Sequence, residues 1–251
     1  MSYSACEARD ARVGTSPTRL SARADAKIPP FCVRCSQMDR IRPTGMQPEE
    51  SRRPAQSIRP SEGPRDCRRC ELWKFATQAV VGEGSAAASI MLVGEQPGDE
   101  EDRRGHPFVG PAGRVLDGAM TEAGMDRLRV FLTNAVKHFK WEARGKRRLH
   151  KRPDVNEIRA CSIWLDQEIL RVKPRVIVAL GATALRALIP EPLSIDAARR
   201  QHLAHAHGAR VLATYHPSAI LRADQGRADE LRLSLVRDLR RAREVSESRR
   251  P

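Results

Sequence analysis

IMLVGEQPGDEED, residues 90–102, sets an unbroken apolar run directly against a polar turn bounded by glycines. An apolar run without alternation suits a strand covered on both faces, as in a parallel sheet. Three more runs of this kind follow, at 130–133, 176–180 and 211–214. Helical periodicity lies between and after them, over 113–123, 155–172, 182–188 and, very basic, 228–245. Strands alternating with helices predict an α/β chain, a three-layer α/β/α domain around a central four-stranded parallel sheet. There are no internal repeats.

Open α/β sheets bind ligands beyond the carboxyl ends of their strands. The polar motifs fall there: GEQPG (94–98) after the first run, Asn134 ending the second, Gly181 after the third, Tyr215-His216-Pro217-Ser218 after the fourth. Glu95, Gln96, Asn134 and His216 are thus expected at one rim. The glycines let backbone approach a ligand closely, and Pro97 stiffens the turn. Glu95 could orient water or oppose positive charge on a reacting sugar, or be a capping acid. Phe108, in the loop HPFVGPAG (106–113), could stack on an extruded base or anchor its loop in the core. Asn134 has the donor and acceptor needed to read a pyrimidine edge, although strand ends often carry asparagine as a turn residue. His216 could stabilise an anionic leaving group or merely begin a helix.

Of 251 residues, 45 are Lys or Arg and 31 Asp or Glu, a formal net charge of +14. That balance points to a polyanion, or to compositional bias, because 38 of the 45 basic residues are arginine. Position is more informative: KHFKWEARGKRRLHKR, residues 137–152, holds eight basic residues and one acid, Glu142. Such a patch suits phosphates or a solvated charge run equally. Residues 1–60, rich in Arg, Ser and Pro, read as a disordered basic tail, with the folded domain over 61–245. No stretch matches a membrane span or a signal peptide, so the expectation is a cytoplasmic, soluble protein without membrane association; a monomer is expected separately.

In a reducing compartment the six cysteines favour metal or cluster ligation over disulfides. Cys67 and Cys70 form a CxxC, and Cys161 follows on a helical segment. His138 is the candidate fourth ligand. The pair Cys32 and Cys35 stays unassigned, and a zinc ribbon of Cys32, Cys35, Cys67 and Cys70 remains an alternative.

The order CxxC, GEQPGDEED, GHPFVGPAG, TNAVKHF, a helical cysteine at 161, then HPSAILR resembles the iron–sulfur uracil-DNA glycosylases over roughly residues 64–243. Two departures from their ordinary members are Gln96, where alanine is usual, and His138, where cysteine is usual. With KRRLHK (146–151), similar to the KRRIH loop of the UdgX type, they point to that type. The resemblance implies a [4Fe–4S] cluster held by Cys67, Cys70, His138 and Cys161. It implies uracil stacked on Phe108 and bonded to Asn134, with Glu95 and Gln96 lining the site and His216 near the departing base. His150 would be the nucleophile that leaves the protein joined to DNA, and Lys146, Arg147, Arg148 and Lys151 would contact the strand, lowering the imidazole pKa. Uracil-containing DNA is the implied partner, single strands avoiding the cost of unpairing. A conventional multiple-turnover glycosylase is the alternative.

Overall fold

The computed structural model describes residues 63–248. The tail read at 1–60, with Cys32 and Cys35, lies outside the described residues. In chain order the elements are β1 (Glu83–Gly84), β2 (Ile90–Gly94), α1 (Asp99–Arg104), α2 (Pro111–Glu122), β3 (Val130–Asn134), β4 (Trp141–Arg144), β5 (Arg147–His150), α3 (Val155–Val172), β6 (Val176–Leu180), α4 (Ala182–Leu188), α5 (Ile195–Arg199), β7 (Leu203–Ala204), β8 (Arg210–Thr214), α6 (Pro217–Arg222) and α7 (Gln225–Glu247).

The expected α/β/α sandwich is present. β3, β2, β6 and β8 form the parallel centre, in register Ile90 with Val130 and Val176, and Val176 with Arg210. The sheet is wider than four strands, because β1 and β7 add short antiparallel edges in the order β1-β3-β2-β6-β8-β7. Two-residue strands carry too little pattern to be seen in sequence. Alternate residues of the central strands feed opposite layers. Met91, Val93, Ile177, Ala179 and Val211 pack with Leu165 and Ile169 of α3 and Leu185 of α4. Ile90, Leu92, Val176, Val178 and Leu212 pack with Leu116 and Met120 of α2 and Leu235 and Leu239 of α7. Both faces are dry, which is why the runs show no polar alternation.

The basic stretch at 137–152 is not a loop. Its centre is an antiparallel hairpin, β4 with β5, pairing Trp141 with His150 and turning at Gly145. Gly145 has φ +59°, a left-handed position suited to glycine. The exposed, charged faces of both strands hid them from a hydrophobicity reading. Among the described residues, no helix is long and apolar enough to cross a membrane.

Candidate active site at the carboxyl ends of the sheet

A cavity of about 480 Å³ opens where the central strands end, and Glu95, Gln96, Phe108, Asn134, His150 and His216 all line it. Convergence at one rim therefore holds for every residue expected there. Gly94 ends β2 beneath the pocket; a Cβ there would stand 2.4 Å from Asn134 Oδ1 and 2.6 Å from the Phe108 ring, so only glycine admits both side chains over the strand end. Phe108 adopts φ +56°, an uncommon conformation for a bulky residue. Its carbonyl faces Gly113, where a Cβ would come within 2.0 Å, and it accepts from the Arg127 guanidinium at 3.3 Å. The loop is held so that the ring lies against the pocket.

Glu95 and His150 face each other, with His150 Nε2 3.4 Å from Glu95 Oε1. The other carboxylate oxygen accepts from the Thr183 hydroxyl and lies 3.8 Å from Arg152 Nε. The His150 pKa is lowered, first by burial and further by Arg222 and Arg152, with Glu95 opposing. The expected cause differs: Lys146 and Arg147 sit on the exposed hairpin, and the cations acting on the imidazole are Arg222 and Arg152.

His216 begins α6, and its Nδ1 accepts the Ser218 backbone N–H at 3.1 Å. An accepting Nδ1 means a neutral ring with its proton on Nε2. Burial, then the proximity of His150 and Arg222, pushes its pKa down to about 4. At neutral pH His216 is a hydrogen-bond donor without charge.

Gln96 lines the cavity but its amide serves the hairpin. Nε2 donates to the carbonyls of Lys140 and Lys151, each at 3.1 Å, and Oε1 accepts from Lys140 N at 3.1 Å. One side chain thus clamps both feet of the hairpin that carries His150. Arg148, expected to face the strand, is instead turned inward. It binds Asp99 Oδ1 at 2.5 Å and Asp102 Oδ2 at 2.6 Å, and only 16% of its side chain is exposed. Asp102 is fully buried and also accepts from Thr77 N at 2.9 Å. A third tie runs from Trp141 Nε1 to the Phe75 carbonyl at 2.9 Å. Lys151 is exposed and pairs with Glu142 at 3.2 Å; among the described residues Lys146 and Arg147 form no ion pair.

Sequence reasoning missed the residues that brace the site. Glu101 accepts from Gly98 N at 3.1 Å and Gly110 N at 2.8 Å, joining the GEQPG turn to the Phe108 loop. Lys137, fully buried, binds Glu168 at 2.7 Å, Thr133 Oγ1 at 2.7 Å and the Asn134 carbonyl at 2.8 Å. A signal for the first was available in the density of acids after GEQPG, but their partners lie elsewhere in the chain.

Cys67, Cys70 and Cys161 are free and share one buried cluster with Trp164 and Ile158. Cys67 Sγ accepts from Trp164 Nε1 at 3.1 Å, and Cys161 Sγ accepts from Lys137 N at 3.2 Å. Burial raises the Cys70 thiol and pushes Cys161 up to about 12, with the proximity of Cys67 adding to both. His138 is buried, with its pKa lowered by that burial. Among the described residues, no three His, Cys, Asp or Glu side chains converge on a single-ion position.

With this geometry in view, the Uracil DNA glycosylase superfamily profile matches residues 81–240. The type-4 uracil-DNA glycosylase of Thermotoga maritima is 38% identical over 184 residues, 73% of this chain and 91% of that protein. That of Sulfurisphaera tokodaii is 36% identical over 188 residues, 72% of this chain and 80% of its own length. The type-5 uracil-DNA glycosylase of Pyrobaculum aerophilum is 34% identical over 170 residues, covering 61% and 71%.

Proposed function

Because the chain belongs to the Uracil DNA glycosylase superfamily, we propose that it excises uracil from DNA and that His150 then captures the abasic sugar as a covalent adduct. The observation carrying the second half is the approach of His150 Nε2 to within 3.4 Å of Glu95 Oε1 inside the pocket.

DNA docks through phosphates on the basic surface, with Lys146, Arg147 and Lys151 on the exposed side of the hairpin. Uracil enters the cavity, stacks on Phe108 and pairs with the Asn134 amide. The N-glycosidic bond breaks with its electrons leaving on the base, so positive charge grows on the sugar and negative charge on uracil. Glu95 opposes the first charge. Asn134 and the neutral Nε2–H of His216 meet the second, donors aimed where charge develops. The lone pair of His150 Nε2 closes on the sugar carbon, and the imidazole sheds its other proton to solvent. A carbon–nitrogen bond to imidazole has no good leaving group, so no second step frees the enzyme. Single-stranded substrate is favoured, since extrusion from it breaks no base pair.

We infer that Cys67, Cys70 and Cys161, with His138 as the fourth ligand, would hold a [4Fe–4S] cluster; what supports this is three soft thiols gathered in one patch, two of them already accepting N–H bonds. When bound it would brace the 67–70 segment to α3 as a structural tie.

A second reading, a conventional multiple-turnover glycosylase, is favoured by the type-4 names of the relatives. Wild type and His150→Ser are incubated with a uracil-containing single strand and resolved under denaturing conditions. A band surviving heat and detergent in wild type and absent in the variant is expected, with uracil still released by the variant as water attacks instead. Released uracil in molar excess over wild type, with no surviving band, would replace capture by the conventional reaction.

A further inference from the structure

A second cavity, of about 320 Å³, lies beside the first and shares Arg152, Ala182 and Thr183 with it. Its floor is apolar, with Pro153, Ile158 and Leu185 buried, and Leu193 closes one side. Arg186 and Glu191 are exposed at its edge. Nothing in the proposed excision uses this space.

Its position is informative. A nucleotide drawn into the first cavity brings its neighbours to the mouth, since the phosphodiester chain is continuous. Arg152 borders both spaces, 3.8 Å from Glu95 and with 77% of its side chain exposed. A cation between two adjoining pockets stands where a linking phosphate would pass. The apolar residues of the floor suit the flat face of a base, Thr183 and Ser194 add hydroxyls to a lining that is otherwise largely polar, and Arg186 supplies a second positive charge beside Glu191.

We propose that this cavity binds the nucleotide adjoining uracil, with the base against the Pro153–Leu193 walls, the intervening phosphate on Arg152 and the outer phosphate on Arg186. The inference rests on the uracil-excising reading. In duplex DNA the neighbouring base stays paired and stacked, so occupancy of the cavity adds a preference for single strands.

The test uses the full-length chain and single strands in which the nucleotide on one side of uracil, then on the other, is replaced by a sugar–phosphate lacking a base. Uracil release is followed at sub-saturating substrate, for wild type and Arg186→Ala. Loss of the base on one side only should lower the rate about tenfold, the range of one base-stacking contact. Arg186→Ala should lower the rate on the intact strand and shrink that one-sided difference, because the two changes act on one bound nucleotide and do not add. Arg186 is exposed on α4, and alanine suits a helix, so the variant folds. Equal release from all three strands overturns the proposal. So does a loss that Arg186→Ala leaves unchanged, which would assign the effect to stacking within the DNA. Release from none of them overturns the excision reading itself, and the cavity's role falls with it.

Discussion

At His150 two influences oppose each other. Burial, with Arg222 and Arg152, favours the neutral imidazole, and Glu95 favours the cation. The net direction is downward, so the lone pair that the proposed capture requires is available at neutral pH. Adduct formation should therefore be flat near pH 7 and fall in acid with a midpoint below 6.5, measured as initial rates of crosslinking across pH. A midpoint above 6.5 would mean that Glu95 dominates. His216 titrates lower still, near 4 against an ordinary 6.5. Between those values the unfolded chain binds the proton and the folded chain does not. Stability is therefore complete above about 6.5 and declines as pH falls toward 4, by on the order of 3 kcal/mol. Denaturation midpoints of wild type and His216→Asn over that window should differ in slope, the variant losing less.

The hairpin of β4 and β5 is short and two-stranded, a unit that is marginal without tertiary support. Its support comes from Gln96 at the feet, Arg148 with Asp99 and Asp102 at the middle, and Trp141 on the Phe75 carbonyl. Because these ties hold His150 rather than the base, they should separate capture from excision. Gln96→Ala removes all three of its hydrogen bonds and should slow adduct formation about tenfold or more, as misplacement of a reacting group does. Uracil release should fall by less. Single-turnover assays of both products from one reaction decide it: equal loss of the two would mean that Gln96 acts in the chemistry itself.

Across the whole molecule, a buried ion pair joins the carboxyl end of β3, at Asn134, to the cysteine patch. Lys137 Nζ bonds to Glu168, to Thr133 and to the carbonyl of Asn134, while its own N–H meets Cys161. Glu168 in turn accepts from Gly82 N at 2.8 Å and from Thr133 Oγ1 at 2.6 Å. Lys137→Met strands a carboxylate in the interior and should cost about 3–5 kcal/mol. Adding Glu168→Gln, which keeps an acceptor but removes the charge, should recover a large part of that loss in a denaturant titration. No recovery would show that packing of the lysine stem, not charge balance, holds this region together.

The local pattern of the chain determined the α/β class, the four central strands and the meeting of Glu95, Gln96, Asn134 and His216, because strands dry on both faces read as apolar runs and ligand-binding turns must follow their carboxyl ends. His150 itself was found through resemblance, since nothing in the charge of KRRLHK separates it from its neighbours. Tertiary structure alone decided that this segment is a hairpin, that Arg148 turns inward and that Gln96, besides lining the pocket, clamps the hairpin. It alone decided that the imidazole's charge state depends on Arg222 and Arg152. Periodicity along the chain records which face of an element is buried. It does not record which distant polar group will satisfy a buried donor or charge, and that pairing exists only once elements separated by 46 or 55 positions are brought into contact.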